Sequence, residues 1–276
     1  MEPGIYHDFP EADYHGDPAL SSTFARLLTE HTPAKALALR KRKPTKAMNL
    51  GKAVHARILG SGPELVVYQH DGRTREGKAE REEYRGAIEA ETVVAVTQSE
   101  VDQIEGMAAR LAGHSLAQPL LASGDTEVSA WWIDAETGVN CRGRFDVLPE
   151  KKGKRRLIVP DYKTTASALT AREFGKTAAK YGYHQQAEFY LRGIKALGLD
   201  PDPTFVFVVQ ETAEPFEVGI FNLDRDAMDA ARILNDRALR IFRECTESGV
   251  WPGLPAEVYT ASLPAFYYID HEEQLA

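Results

Sequence analysis

Two spacings of apolar residues alternate along this chain, and the change from one to the other divides it. Over most of the first 122 residues the apolar positions recur every three or four places, as on one face of a helix. Ser21 or Ser22 caps a predicted helix carrying Phe24, Leu27 and Leu28, and Thr32-Pro33 opens a second. Met48 to Leu59 forms a third, and Glu76 to Ala90 and Ser99 to Leu121 continue as helices. The texture then changes to strands at Glu127 to Ile133, Val139 to Leu148 and Leu157 to Lys163, with Glu136-Thr137-Gly138 turning between the first two. A helix from about Tyr183 to Leu197, an apolar strand Phe205 to Val209, a segment Phe216 to Phe221 and a long helix from Asp224 to about Glu247 follow. This order predicts an α/β (α+β) fold, with a central mixed β-sheet flanked by helices and a helical N-terminal region. No repeat, low-complexity run or long Gly/Ser linker interrupts residues 1–276, so one domain is expected.

The third strand ends in reactive groups. Leu157-Ile158-Val159-Pro160 is followed by Asp161-Tyr162-Lys163, and residues two apart on a strand point to the same side, so Asp161 and Lys163 face one site. The preceding strand brings Asp146, in Arg142-Gly143-Arg144-Phe145-Asp146. Two carboxylates and one ammonium suit a hard divalent cation with a reactive water beside it, which points to phosphodiester hydrolysis. The tripeptide alone says little, because an acid, any residue and Lys recur at Glu76-Gly77-Lys78 and Glu150-Lys151-Lys152 in charged, turn-like stretches. Its neighbours say more. Gly51 and His55 share one helix face, where glycine would let another backbone approach, although a histidine beside Val54, Ile58 and Leu59 also reads as a core residue. Tyr183, Gln186 and Tyr190 form a stripe at i, i+3 and i+7, a pattern equally at home at a core edge.

Composition narrows the classes. A hydrophobic content of 43% is that of an ordinary globular protein, and no run of about 18 apolar residues or signal-peptide pattern occurs, so a cytoplasmic protein with no membrane partner is expected. Cys141 and Cys245 are too few for a disulfide framework or an iron–sulfur cluster. The net charge of −8 argues against a general polyanion binder. The charge is segregated, however: His31 to Pro63 contains no acid but carries Lys35, Arg40, Lys41, Arg42, Lys43, Lys46, Lys52 and Arg57, and a second basic patch runs from Lys151 to Arg156. A locally positive channel on an acidic protein remains compatible with this pattern.

Taken in order, the Gly-x-x-x-His helix, the strand with Asp146, the Asp-x-Lys strand and the Gln186-x-x-x-Tyr190 helix resemble the PD-(D/E)xK nuclease superfamily in its RecB-type branch. The likeness extends to RecE-type (exonuclease VIII) nuclease domains through Gly4-Ile5-Tyr6, Asp13-Tyr14-His15, Leu20-Ser21-Ser22, Asn49 to His55, Asp161 to Ala166, Tyr183 to Tyr190 and Trp251-Pro252-Gly253, covering about residues 4 to 265. One departure is Phe145, which stands where the superfamily has its naming proline. The resemblance implies a restriction-endonuclease-like αβββαβ core at about 48–60 plus 125–222, preceded by a helical part at about 18–122 and followed by a helix and tail at 224–276.

The resemblance also implies Mg2+-dependent, 5′→3′ digestion of linear double-stranded DNA, leaving 3′ tails for recombination, with Mn2+ able to substitute. His55, Asp146, Asp161 and the Tyr162 carbonyl would hold the ion. Lys163, its pKa lowered beside the metal, would position and help deprotonate the water, with Gln186 orienting it, Tyr190 supporting and Glu127 adding an outer carboxylate. Lys41, Arg42, Lys43, Lys52, Arg142 and Arg144 are the expected DNA-binding groups. The implied partners are duplex DNA ends, further copies of the chain in a ring, and a RecT-type single-strand annealing protein in a bacterial or phage-infected cell. Alternatives are an inactive DNA-binding or recombination scaffold of the same fold, or a nuclease of other polarity or endonucleolytic mode.

Overall fold

In the computed structural model, residues 1–40, 46–90 and 92–271 are described. The chain opens with β1 (Gly4–Tyr6), α1 (Glu11–Gly16), β2 (Leu20–Ser21), α2 (Ser22–Glu30), α3 (Pro33–Leu39) and α4 (Lys46–Leu59). Hydroxyl caps set the helix starts as the sequence predicts: Ser21 Oγ accepts the Phe24 N–H at 3.3 Å, and Thr32 Oγ1 accepts that of Lys35 with Pro33 in the first turn.

The region expected to be purely helical contains strands. After α4 come β3 (Glu64–Tyr68), α5 (Arg75–Glu89), β4 (Val93–Thr97), α6 (Gln98–Ala112) and α7 (Ala117–Leu121). Strands β3 and β4 pair in parallel with α5 as their crossover, because Leu65-Val66-Val67 and Val93-Val94-Ala95-Val96 are β-branched runs that pack against α4 and α6. The single helix expected over residues 99–121 is two. It breaks at Gly113, and His114 Nδ1 accepts the Leu116 and Ala117 N–H groups at 3.3 and 3.1 Å to start α7.

The remaining elements are β5 (Gly124–Ile133), β6 (Asn140–Pro149), β7 (Ile158–Thr165), α8 (Ala171–Tyr181), α9 (Tyr183–Ala196), β8 (Thr204–Glu211), β9 (Val218–Phe221), α10 (Arg225–Ser248) and α11 (Ala265–Asp270). The central sheet is mixed and laddered in two sections. In one, β5 lies antiparallel to β1 and β6, and β6 pairs in parallel with β2; in the other, β7 lies parallel to β8 and β8 antiparallel to β9. Strands β6 and β7 run side by side where the sections meet, and there the Tyr162 N–H bonds to the Asp146 carboxylate at 2.7 Å.

Helices cover both faces. Trp132, Phe145, Phe189, Phe205 and Phe207 pack with Phe24 of α2 and Phe242 of α10 on one side, and Val147, Tyr162 and Val208 pack with Ile104 and Met107 of α6 on the other. Helix α9 crosses the sheet very closely. A Cβ on Gly193 would lie 3.0 Å from the Trp132 ring, and one on Gly143 would lie 3.1 Å from Tyr190. That approach delivers Gln186 and Tyr190 to the seam between β6 and β7. Among the described residues no helix is long and apolar enough to cross a membrane.

Candidate active site

Three elements converge at the seam. Helix α4 supplies His55, β5 supplies Glu127 and β6 supplies Asp146, and one ligand atom from each lies within 4.8 Å of the other two. His55 Nε2 is 3.1 Å from Asp146 Oδ2 and 3.0 Å from the Tyr162 carbonyl oxygen, while Nδ1 is 3.4 Å from Glu127 Oε1. Glu127 reaches this position at a local cost. The β5–β6 ladder pairs Thr126 with Val147 and Val128 with Phe145 but skips Glu127 and Asp146, and Glu127 has φ +52°. A non-glycine residue in that left-handed region is strained, and such strain concentrates where a side chain must be aimed. Glu127, expected as an outer carboxylate, lies beside His55.

Strand β7 carries the second half. Asp161 and Lys163 share a side as the alternation predicts, and the Lys163 ammonium makes a close ion pair with Asp161 Oδ2. Gln186 Nε2 donates to Asp161 Oδ1 at 2.8 Å. Tyr162, on the opposite side, anchors the strand: its hydroxyl donates to Gln210 Oε1 at 2.6 Å, and Gln210 Nε2 donates to the carbonyls of Met107 and Phe216 at 2.9 and 3.2 Å. Both residues are essentially fully buried. This chain of bonds fixes the residue whose N–H holds Asp146 and whose C=O faces His55. Gln210 was missed in the sequence, because a lone amide closing an apolar strand carries no motif. Tyr190 is buried, packs on Phe145, and accepts the Arg144 backbone N–H at 3.4 Å, which places it behind β6. A cavity of about 330 Å³ opens beside Lys163, with Arg26, Tyr183 and Gln186 among its walls.

The charges are strongly coupled. Burial disfavours charge on His55, yet Asp146 and Glu127 outweigh it and hold the imidazolium well above its usual range. Burial also opposes ionisation of Asp146, but His55 and Lys163 prevail and depress its pKa. Asp161 is pushed up to about 6 by burial and by the Asp146 carboxylate. The protein's own groups shift Lys163 upward. Burial favours its neutral form, but Asp161 and Asp146 together hold the proton and raise it. Two carboxylates lie near this one amine, and a cation at the site would share their charge with it.

The donor set fits a hard divalent ion. Two carboxylates and a main-chain carbonyl are oxygen ligands that suit Mg2+ or Mn2+, the imidazole nitrogen adds a softer donor, and a separation below 4.8 Å is close to the roughly 4.2 Å that spans an octahedral Mg2+. Asp161, expected in the ligand set, is engaged by Lys163 and Gln186 and stands outside that trio.

Other expected residues lie elsewhere. Arg142 is buried, donating to the Ala19 and His15 carbonyls and lying 4.4 Å over the Tyr14 ring. Arg144 donates to Ser129 Oγ at 2.9 Å and the Phe9 carbonyl at 2.8 Å, over the same ring. Both therefore pin the α1 segment to β6, because alternation on β6 points them at Tyr14. Lys52 pairs with Glu11 at 3.2 Å. Lys41, Arg42 and Lys43 lie outside the described residues. Among the described residues a Cβ at Gly51 would meet only Thr164 Oγ1, at 3.9 Å, and none of them makes the close backbone approach that would require glycine there.

Comparison with known proteins agrees with this geometry. No protein of curated function matches the sequence. A Eubacterium rectale structure described as a candidate exonuclease superposes with a TM-score of 0.64 at 11% identity, covering 95% of this chain and 97% of that one. Likeness at that identity is likeness of fold alone. The model of the PDDEXK-like domain of unknown function (DUF3799) matches residues 21–259, which contain every residue of the seam, and the chain belongs to that family.

Proposed function

We propose that this protein is a divalent-cation-dependent nuclease that hydrolyses the phosphodiester bonds of linear double-stranded DNA, with Mg2+ as the working ion and Mn2+ able to replace it. One observation carries the reading: His55, Glu127 and Asp146, from three separate elements, meet around a single point with the Asp161–Lys163 pair beside it. His55, Glu127, Asp146 and the Tyr162 carbonyl would hold the ion, which when bound supplies the positive charge that polarises the scissile phosphate. Lys163 extends toward the cavity, where its N–H groups orient the attacking water and the phosphate. Asp161 and Gln186 fix the lysine's position. Tyr162, held through Gln210, keeps the Asp146 carboxylate aimed.

The finer reading is exonucleolytic 5′→3′ digestion that leaves 3′ tails for recombination. It rests on the resemblance to RecE-type domains, as do a ring of identical copies and a RecT-type annealing partner. Linear duplex labelled at either the 5′ or the 3′ end, and closed circular duplex, are incubated with Mg2+, with Mn2+ and with EDTA. Progressive loss of the linear substrates with the ions alone, and persistence of the circle, support the reading. An intact linear duplex under every condition overturns catalysis and leaves a DNA-binding scaffold; a cut circle overturns the exonuclease mode. Native mass spectrometry showing only monomer with DNA and Ca2+ overturns the ring.

A further inference from the structure

A chain of net charge −8 must meet DNA through a local basic surface, and the arginines expected on β6 are turned inward. A different surface has the required form. Helix α8, absent from the sequence reading, carries Arg172, Lys176 and Lys180 at i, i+4 and i+8, all exposed in one row. Its opposite side is anchored: Phe174 stacks on Phe221 at 4.6 Å, and Ala178 is buried. The helix ends at Gly182, with φ +70°, where a Cβ would lie 2.3 Å from Arg26 Cδ, so the turn into α9 is tightly packed.

The row lies beside the candidate site. Glu173 and Thr177 line the groove shared with Lys163, and the basic row is the next one round the helix. At the other end Tyr181 and Gly182 form the wall of the larger cavity, and Lys180 sits 5.1 Å over the Tyr181 ring, which is half exposed. Lys176 also bonds Glu173 at 2.7 Å, an exposed i,i+3 pair that a phosphate can displace at little cost. The three cations are about 6 Å apart over about 12 Å of helix. One strand of a duplex presents three to four phosphates in about that length.

We infer that Arg172, Lys176 and Lys180 on α8 are a phosphate track that holds the backbone of the duplex DNA substrate as it enters the site. The inference rests on the nuclease reading above. Binding of a labelled linear duplex is measured by fluorescence anisotropy in Ca2+ over a salt series. Three proteins are compared: the wild type, an R172Q/K176Q/K180Q variant, and a charge-matched K152Q/K154Q/R155Q variant in the exposed loop before β7. Losing three phosphate contacts lowers the slope of log K against log salt by about 2.7, so a fourfold rise in salt costs the wild type about 40-fold more affinity than the α8 variant. The loop variant should keep the wild-type slope, and thermal midpoints should match, since all six residues are exposed. An unchanged slope in the α8 variant overturns the track, as does an equal loss in the loop variant, which would mark a net-charge effect. A wild type that neither binds nor cleaves duplex overturns both this inference and the nuclease reading; one that cleaves while the α8 slope is unchanged overturns this inference alone.

Discussion

Two carboxylate clusters sit on opposite ends of β5, and they use similar side chains to different ends. Around Arg192, the guanidinium bonds Asp134 at 3.0 Å, Glu188 at 3.0 Å and Asp236 at 2.6 Å, while Thr137 and Asn235 satisfy the remaining oxygens of Asp134 and Glu188. The result ties the β5–β6 turn to α9 and α10. At the seam, Glu127, Asp146 and Asp161 face His55 and Lys163, and the backbone is strained at Glu127. Arginine is always charged and its planar fork fills the space between acids, so the first cluster is complete in itself. Histidine and lysine both titrate, and the seam leaves ligand atoms pointing at one another. A closed cluster with a fixed cation marks architecture; a strained one with titratable partners marks chemistry.

The sharpest way to break that contrast is to remove one member of each cluster. Asp146→Ala or Lys163→Ala should lower the rate of duplex hydrolysis by about 10²- to 10⁴-fold, read from end-labelled substrate under single-turnover conditions. Arg192→Met should leave the rate per folded molecule unchanged and lower unfolding stability by about 3 kcal/mol in urea titrations, because it strands the buried Asp134 and the partly buried Glu188 and Asp236 without their partner. Equal rate losses in both would end the distinction. The next effect is metal linkage. Mn2+ at a hundredfold excess over its dissociation constant should stabilise the wild type by about 2.7 kcal/mol, seen as a rise in thermal midpoint. The Arg192→Met protein should show the same increment, and His55→Ala should show little of it.

Much of this contrast can be read in the sequence, but unevenly. The apolar run before Asp161-Tyr162-Lys163 fixes a strand, and period-two alternation then fixes the shared side of Asp161 and Lys163. Hydroxyl caps at Ser21 and Thr32 and the acid at Asp224 mark helix starts that the structure reproduces. Alternation does not say what covers each face, so the pattern of β6 carries no sign that the α1 segment lies over Arg142 and Arg144. The left-handed turn at Glu127 is invisible because glutamate has no tendency toward positive φ; only the ladder opposite Asp146 reveals it. Helix α8 is short, and Gly175 in its middle weakens its pattern, yet Phe174 and Ala178 at i and i+4 carry a signal that Thr170 caps.

Strain supplies a smaller and more pointed test. If Glu127 is held in the left-handed region for the sake of its carboxylate, glycine at that position should relieve the backbone while removing the ligand. Glu127→Gly should therefore keep or gain stability, by up to about 1 kcal/mol, and lose at least tenfold in Mn2+ affinity measured from the metal-induced shift in thermal midpoint. A stability loss with unchanged Mn2+ affinity would make Glu127 a structural residue and move the strained position to the architectural side of the comparison.

The smallest effect concerns pH and probes a carboxylate that belongs wholly to the architecture. Asp200 ties the loop before β7 to the start of β8: its carboxylate takes an ion pair from Lys151 and the backbone N–H groups of Leu157 and Asp202 at 2.6 and 2.9 Å. The Lys151 bond and those two N–H groups hold its pKa down at about 2, against 3.8 for a free side chain. The sign follows from proton binding. Below about pH 4 the unfolded chain takes up a proton that the native carboxylate still refuses, so this contribution is whole above that pH and fades as the pH falls toward 2. Asp200→Asn should flatten the stability profile between pH 4 and pH 2 while leaving both the rate of DNA hydrolysis and the Mn2+ increment at neutral pH as in the wild type. Were the Mn2+ increment to change with Asp200, the two kinds of cluster would be energetically coupled through β7, and the separation between architecture and chemistry would have to be redrawn along that strand.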